Sequence, residues 1–300
     1  MGLSSPVIGR LIDQHGGRSV MSAGAAFNAA GCLAIAVCYQ PPLYFLGWIL
    51  LGLGMRLSLY DVAFAALVRI GGPEARVPMS QITLLGGLAS TAFWPVGNVL
   101  AEMLGWRGAL VGYAVIALAT VSLHLTLPNG RYDDLPERHT LAQFTPAAAS
   151  GRQHFVAAGV YALIVTLTNF LNSGMSAHRI AIHAAVSVAT LCGIGQSTAR
   201  LCEVLFGRRL HPLLLNIIAT AILPFSFIAG LFASDWPAVV TFAFFYGAGN
   251  GLVTITRGSL PLVLFDHRTY VHFVGRLIAP SFLLSAAAPL TYAMVISRFG

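Results

Sequence analysis

Apolar residues recur in long runs from near the start of the chain to its end. A bilayer core about 30 Å thick takes about 20 apolar residues in a helix. By that measure spans are predicted near 19–39, 42–68, 78–104, 109–127, 154–177, 182–204, 210–232, 236–258 and 272–297, and residues 1–12 read as the tail end of one more. The pattern predicts an all-α polytopic membrane protein with nine full transmembrane helices and a partial one. One stretch breaks the rhythm. Residues 128–153, with Asp133, Asp134, Glu137, Pro136 and Pro146, predict a polar linker. It divides the helices into an N-terminal bundle, 1–127, and a C-terminal bundle, 154–300.

Composition supports lipid as the solvent. Apolar types make up 57% of the 300 residues and charged types 9%, far too few charges to cover a water-soluble surface. All 17 basic residues are arginine. They stand singly between apolar runs and are not interleaved with aromatics, so the net charge of +7 does not indicate nucleic acid. Their distribution predicts orientation instead. Eleven arginines fall in one alternating set of connections (10 and 18; 69 and 76; 131, 138 and 152; 208 and 209; 268 and 276) and three in the other (107, 179 and 298). The richer set is expected in the cytoplasm, which places the segment 9–18 and the linker 128–153 on that side.

The chemistry of hydrolases and nucleotide-driven pumps is not visible. The cysteines lie inside apolar runs with no C-x-x-C pair, the histidines have no metal-ligand spacing, and no lysine exists to complete a phosphate loop. No cofactor, no metal and no enzymatic activity are expected.

The two halves share a pattern. Gly52-Leu53-Gly54-Met55 matches Gly247-Ala248-Gly249-Asn250, 195 positions later. Gly9-x-x-x-Asp13-x-x-Gly16-Gly17-Arg18 is echoed by Ala199-x-x-x-Glu203-x-x-x-Gly207-Arg208-Arg209. Two bundles of related helices joined by a linker indicate a transporter built of repeats.

Charges at membrane depth are costly and mark functional candidates. Arg56, Tyr60 and Asp61 fall in one predicted span. A continuous helix puts Arg56 and Tyr60 on one face and Asp61 about 140° further round. Asp61 and Arg257 occupy nearly matching positions of the two repeats, 196 apart; the other readings are a buried structural pair with a neighbouring helix for Asp61 and a place facing lipid headgroups for Arg257. Asn169, Asn172, Ser173, Asn250 and Thr254 are uncharged polar candidates, with helix–helix hydrogen bonding as the other reading. Arg200 is expected to pair locally, with Gln196 or with Glu203.

Residues 9–18, Gly-Arg-Leu-Ile-Asp-Gln-His-Gly-Gly-Arg, resemble the signature between helices 2 and 3 of the major facilitator superfamily, with Gln14 and Gly17 departing from it. Trp106-Arg107-Gly108 is similar to the head of helix 6 in that family. Tyr60-Asp61 and Gly249-Asn250-Gly251 with Arg257-Gly258 are similar to a bacterial branch related to monocarboxylate-type carriers. The resemblance implies a two-bundle transporter fold in which the spans are helices 3 to 11, with helix 1, most of helix 2 and helix 12 outside the chain. It implies a gating role for Gly9, Asp13, Gly17 and Arg18, with Asp13 docking near His272 to Arg276, and a weaker copy in Glu203, Gly207 and Arg208. It also implies that helices 4, 7 and 10 line the substrate path, which makes Arg56, Tyr60, Asp61, Asn169, Asn250 and Arg257 the substrate or coupling candidates.

The resulting expectation is secondary transport of a small organic solute, an anion by its arginines, by alternating access in a bacterial inner membrane. Partners would be the small-molecule substrate, membrane lipid and a proton as coupling ion, with the carrier a monomer. The alternatives are an inactive remnant of a carrier gene and a membrane-embedded enzyme.

Overall fold

The computed structural model describes residues 5–132, 151–177, 182–207, 210–232, 235–265 and 270–299. The helices are α1 (Ser5–Ala36), α2 (Pro41–Ser58), α3 (Tyr60–Gly71), α4 (Arg76–Leu125), α5 (Gly151–Ala177), α6 (Ile182–Phe206), α7 (Pro212–Gly230), α8 (Trp236–Leu264) and α9 (Tyr270–Phe299), with a short 3-10 turn at Gly72–Ala75. No strand occurs among the described residues. In lipid every backbone N–H and C=O must be satisfied within the protein, and a helix does so within each segment. Helix starts carry the expected chemistry: Pro41 follows Gln40, Pro212 follows His211, and Pro237 lies one residue inside the start of α8. Proline at the first turn gives up only an N–H that has no helical partner there.

Among the described residues, seven stretches are long and apolar enough to cross a membrane: Arg10–Ala36, Pro41–Ala89, Val96–Leu125, Phe155–Ser173, Pro212–Gly230, Trp236–Leu264 and Val274–Arg298. They match the expected spans, except that the predicted 42–68 and much of 78–104 run together and 182–204 is not among them. Most large side chains on the outer surface are apolar, as in Phe45, Ile49, Leu118, Phe155, Leu205 and Ile217, and a lipid-facing surface requires this.

Three local breaks differ from the sequence reading. The segment 9–18, expected as a loop, is helical on both sides of a single reversal at Gly16, where φ is 79° and ψ 162°. Gly105 makes the same reversal inside α4, at φ 70° and ψ 170°, between the predicted spans 78–104 and 109–127. Glycine adopts these angles without the steric cost of a Cβ, so one residue replaces a loop. Beyond it, Arg107 donates to the carbonyl of Cys38 at 3.1 Å and stacks on Tyr39. The third break lies within the predicted span 42–68. Leu59 is extended, at φ −80° and ψ 177°, and separates α2 from α3.

One buried cluster joins elements from both ends of the chain: Ile12 of α1, Phe64 and Val68 of α3, Met79 of α4, Tyr161 of α5, Leu260 of α8 and Ile278 of α9. A second holds α7 to α8 through Leu215, Ala219, Leu223, Tyr246 and Leu252. The repeat reappears as a repeated contact. Gly54 lies against Asn28, and 195 positions further on in both partners Gly249 lies against Leu223.

Candidate substrate site

The break at Leu59 creates the site. In a continuous helix Asp61 would point away from Arg56. With Leu59 extended, Asp61 Oδ2 accepts from Arg56 Nη1 at 2.7 Å. The expected sharing of a face by Arg56 and Tyr60 is thereby replaced. The same oxygen accepts from Arg257 Nη2 of α8 at 2.9 Å. Asp61 thus bridges two guanidiniums. Burying a charge is tolerable only where it is paired and hydrogen-bonded, and Arg56 is only 4% exposed.

Both guanidiniums also lie over Phe282 of α9, with ring centroids 4.9 Å from Arg56 and 5.5 Å from Arg257. The negative face of an aromatic ring attracts cations, more strongly where water is excluded. Arg257 is fixed from a third side. Its Nη1 donates to Asn169 Oδ1 at 3.4 Å, and its backbone carbonyl accepts from the buried Tyr161 hydroxyl at 2.8 Å. Asn169 in turn donates to Ser281 Oγ at 3.0 Å, locking its amide orientation. Close approach of α3 and α8 is allowed by Gly258, because a methyl group there would overlap the Phe64 ring.

Beside this triad lies an open cavity of about 550 Å³, lined by Asn169, Asn172, Ser173, Arg257, Phe282, Ser285 and Pro289. A volume in this range suits a small organic solute. Ser173 donates to the Ser285 carbonyl at 2.7 Å, and Tyr246 donates to Asn172 Oδ1 at 3.3 Å. Ser285 Oγ and Arg257 Nε are buried without a partner among the described residues. Arg257 is the charged residue of the lining.

The structure brings Arg56, Asp61, Arg257 and Asn169 together. It places two other candidates elsewhere. Asn250 is half-buried in α8, accepts from Thr254 Oγ1 through its carbonyl, and is not part of the cavity wall. Tyr60 turns from the triad, stacks on Phe64 and lies against Gly86. There it meets Arg200 of α6, which also donates to the Thr83 carbonyl at 2.8 Å. Arg200 is 2% exposed and pairs with neither Gln196 nor Glu203 in these contacts. Helical spacing favours local partners, but the face of α6 that carries Arg200 packs on α4, and the neighbours there are Tyr60 and Thr83. Phe282, Ser285 and Pro289 escaped the sequence reading, because an aromatic, a serine and a proline in an apolar span carry no signal of their own.

The glycine-rich motifs flank the ends of helices. Arg69 donates to the carbonyls of Ile12 and, at 2.6 Å, Asp13. Ile12 shares a cluster with Val274 and Ile278, so the end of the motif's first helix is packed against the start of α9. Gly9 is helical, Gly17 lies tight against Ala66, and Arg18 is exposed. The weaker copy is engaged more visibly. Glu203, 5% exposed, lies 3.9 Å from Arg76 at the start of α4 and hydrogen-bonds Ser80. Arg76 also donates to the Gly207 carbonyl at 2.8 Å. Arg208 and most of the linker 128–153 lie outside the described residues. No group of three or more metal-ligating side chains occurs among the described residues.

The family model of the Major Facilitator Superfamily matches residues 1–272. The chain belongs to that family of membrane transporters and is an integral membrane protein. Two solved structures share its fold. The human organic anion transporter MFSD10 (TETRAN) aligns with a TM-score of 0.67 at 18% identity, covering 100% of this chain and 76% of that one. The proton:xylose symporter XylE, bound to 6-bromo-6-deoxy-D-glucose, aligns with a TM-score of 0.69 at 15% identity, covering 99% and 77%. No curated protein matches the sequence. At these identities the two structures show the fold alone. Membrane transport of a small molecule follows from the family.

Proposed function

We propose that the chain is a secondary carrier for a small organic anion, working by alternating access between bundles 1–127 and 154–300. The observation that carries this reading is Arg257. It stands in the cavity wall, reaches across to Asp61 on α3, and has a buried Nε with no partner among the described residues. Arginine suits carboxylate recognition because its planar fork donates in a fixed geometry. Asn169 holds that fork, and Ser285 offers a hydroxyl. Where a proton accompanies the solute, Asp61 is the carboxylate placed to carry it. The segment 9–18 and the linker are assigned to the cytoplasmic side by arginine distribution, and the motifs around Asp13 and Glu203 act as gates there.

The neighbour names point in two directions, one to organic anions and one to xylose. An arginine in the cavity wall favours the first. The test is uptake into proteoliposomes of a labelled set containing lactate, benzoate, succinate, citrate and xylose. Accumulation of at least one carboxylate above protein-free vesicles is expected. Accumulation of xylose with none of the carboxylates would overturn the anion reading.

A further inference from the structure

We infer that Asp61 is the resident counter-anion of the empty carrier, a tethered competitor that a substrate carboxylate replaces on Arg257 while Arg56 keeps hold of Asp61. The inference rests on the reading of Arg257 as the anion contact.

The geometry separates the two arginines. Both donate to one oxygen of Asp61, at 2.7 and 2.9 Å. Arg56 is 4% exposed and is not part of the cavity wall, whereas Arg257 lines the cavity. An anion entering from the cavity therefore meets Arg257 and not Arg56. Chain connectivity separates them again. Arg56 and Asp61 are five positions apart across the Leu59 break, so their bond moves as a unit, while the bond to Arg257 spans 196 positions and joins α3 to α8. When those helices part, the Asp61–Arg257 bond is the one that opens.

Electrostatics then dictates the exchange. Between them the two guanidiniums and the Asp61 carboxylate carry more positive than negative charge, which favours a bound anion beside them. A cation held mostly out of water is costly without its partner, so the half-buried Arg257 favours an anion at each stage. In the empty carrier Asp61 supplies it. In the loaded carrier the substrate does, and Asp61 falls back on Arg56 alone. Asp61 thereby sets how weakly the site holds its anion, and gives it up again for release.

The discriminating experiment uses acetate, small enough for any carboxylate subsite in this cavity. The full chain, purified in detergent, is titrated with acetate, and the rise of the unfolding temperature gives a half-saturating concentration. Asp61→Asn is expected to lower that concentration at least about tenfold relative to the parent, since the competing charge is gone. The effect should vanish in Asp61→Asn/Arg257→Gln. Arg56→Gln/Asp61→Asn removes one charge of each sign, and serves if the single variant does not fold. Should the parent bind acetate through Arg257 while the Asp61 variants bind it no more tightly, the counter-anion role fails and the anion site stands. If acetate stabilises neither the parent nor any variant, the anion site falls and the inference with it.

Discussion

Asp61 Oδ2 lies 2.9 Å from Arg257 Nη2 although 196 positions separate the two residues. This bond ties α3 to α8 at the edge of the cavity. It forms because Leu59 interrupts the helix that would otherwise aim Asp61 elsewhere, and because Gly258 lets α8 press against Phe64. The geometry of the site depends on those two backbone features as well as on the charges.

Asp61→Asn should abolish net uptake while leaving insertion and folding intact. The substitution keeps the shape of the side chain and removes the charge with which both Arg56 and Arg257 pair. Proteoliposome uptake beside a gel-filtration profile measures both, and normal uptake by a well-folded variant would remove Asp61 from the mechanism.

Gly258→Ala should destabilise the protein by about 1–3 kcal/mol, the usual cost of overpacking a tight contact. The new methyl group meets the ring of Phe64, which is 2% exposed and has nowhere to retreat. Adding Phe64→Leu should recover part of the loss. Thermal unfolding of the single and double variants measures this, and no recovery would mean that the strain lies elsewhere.

Arg76→Gln should cost more stability than Glu203→Gln. The first leaves the Glu203 carboxylate buried with only Ser80 as a hydrogen-bond partner and also loses the bond to the Gly207 carbonyl; the second leaves an arginine with that carbonyl still in place. Loss of one partner of a fully buried pair costs about 3–5 kcal/mol, and less where one side is partly solvated, as Arg76 is. The double variant should be less damaged than the sum of the singles. Strict additivity in denaturation midpoints would show that Arg76 and Glu203 do not interact.

Asp13→Ala should slow conformational exchange without altering substrate affinity. Asp13 lies at the end of a helix held by Arg69 through the carbonyls of Ile12 and Asp13, packed near the start of α9 and far along the chain from Arg257. Equilibrium binding of the transported anion and its turnover rate separate the two effects. A changed affinity with unchanged turnover would contradict the assignment.

Much of the fold was legible in the sequence, because lipid leaves an apolar run no alternative to a helix. The repeat was legible too: the 195-position offset between Gly54 and Gly249 reappears in their partners Asn28 and Leu223. The meeting of Asp61 with Arg257, 196 positions apart, followed from nearly the same offset. What escaped depends on single backbone angles and on packing. Leu59 carries no breaker signal, so the α2–α3 interruption and the Arg56–Asp61 bond were hidden, and Tyr60 was assigned to the wrong neighbours. Gly16 and Gly105 were visible as glycines, but no spacing rule distinguishes a reversal from a tight contact. Arg200 paired across helices with Tyr60 and Thr83 because tertiary contact outweighed its nearer partners along α6.

The central claim is that Arg257 receives the anion. It is tested most directly by comparing uptake of the transported carboxylate by the parent and by Arg257→Gln, reconstituted to equal protein content. The account predicts a fall in kcat/KM of about a hundredfold, the loss expected when a charged partner is removed from a desolvated anion site. Uptake with unchanged kcat/KM would contradict it.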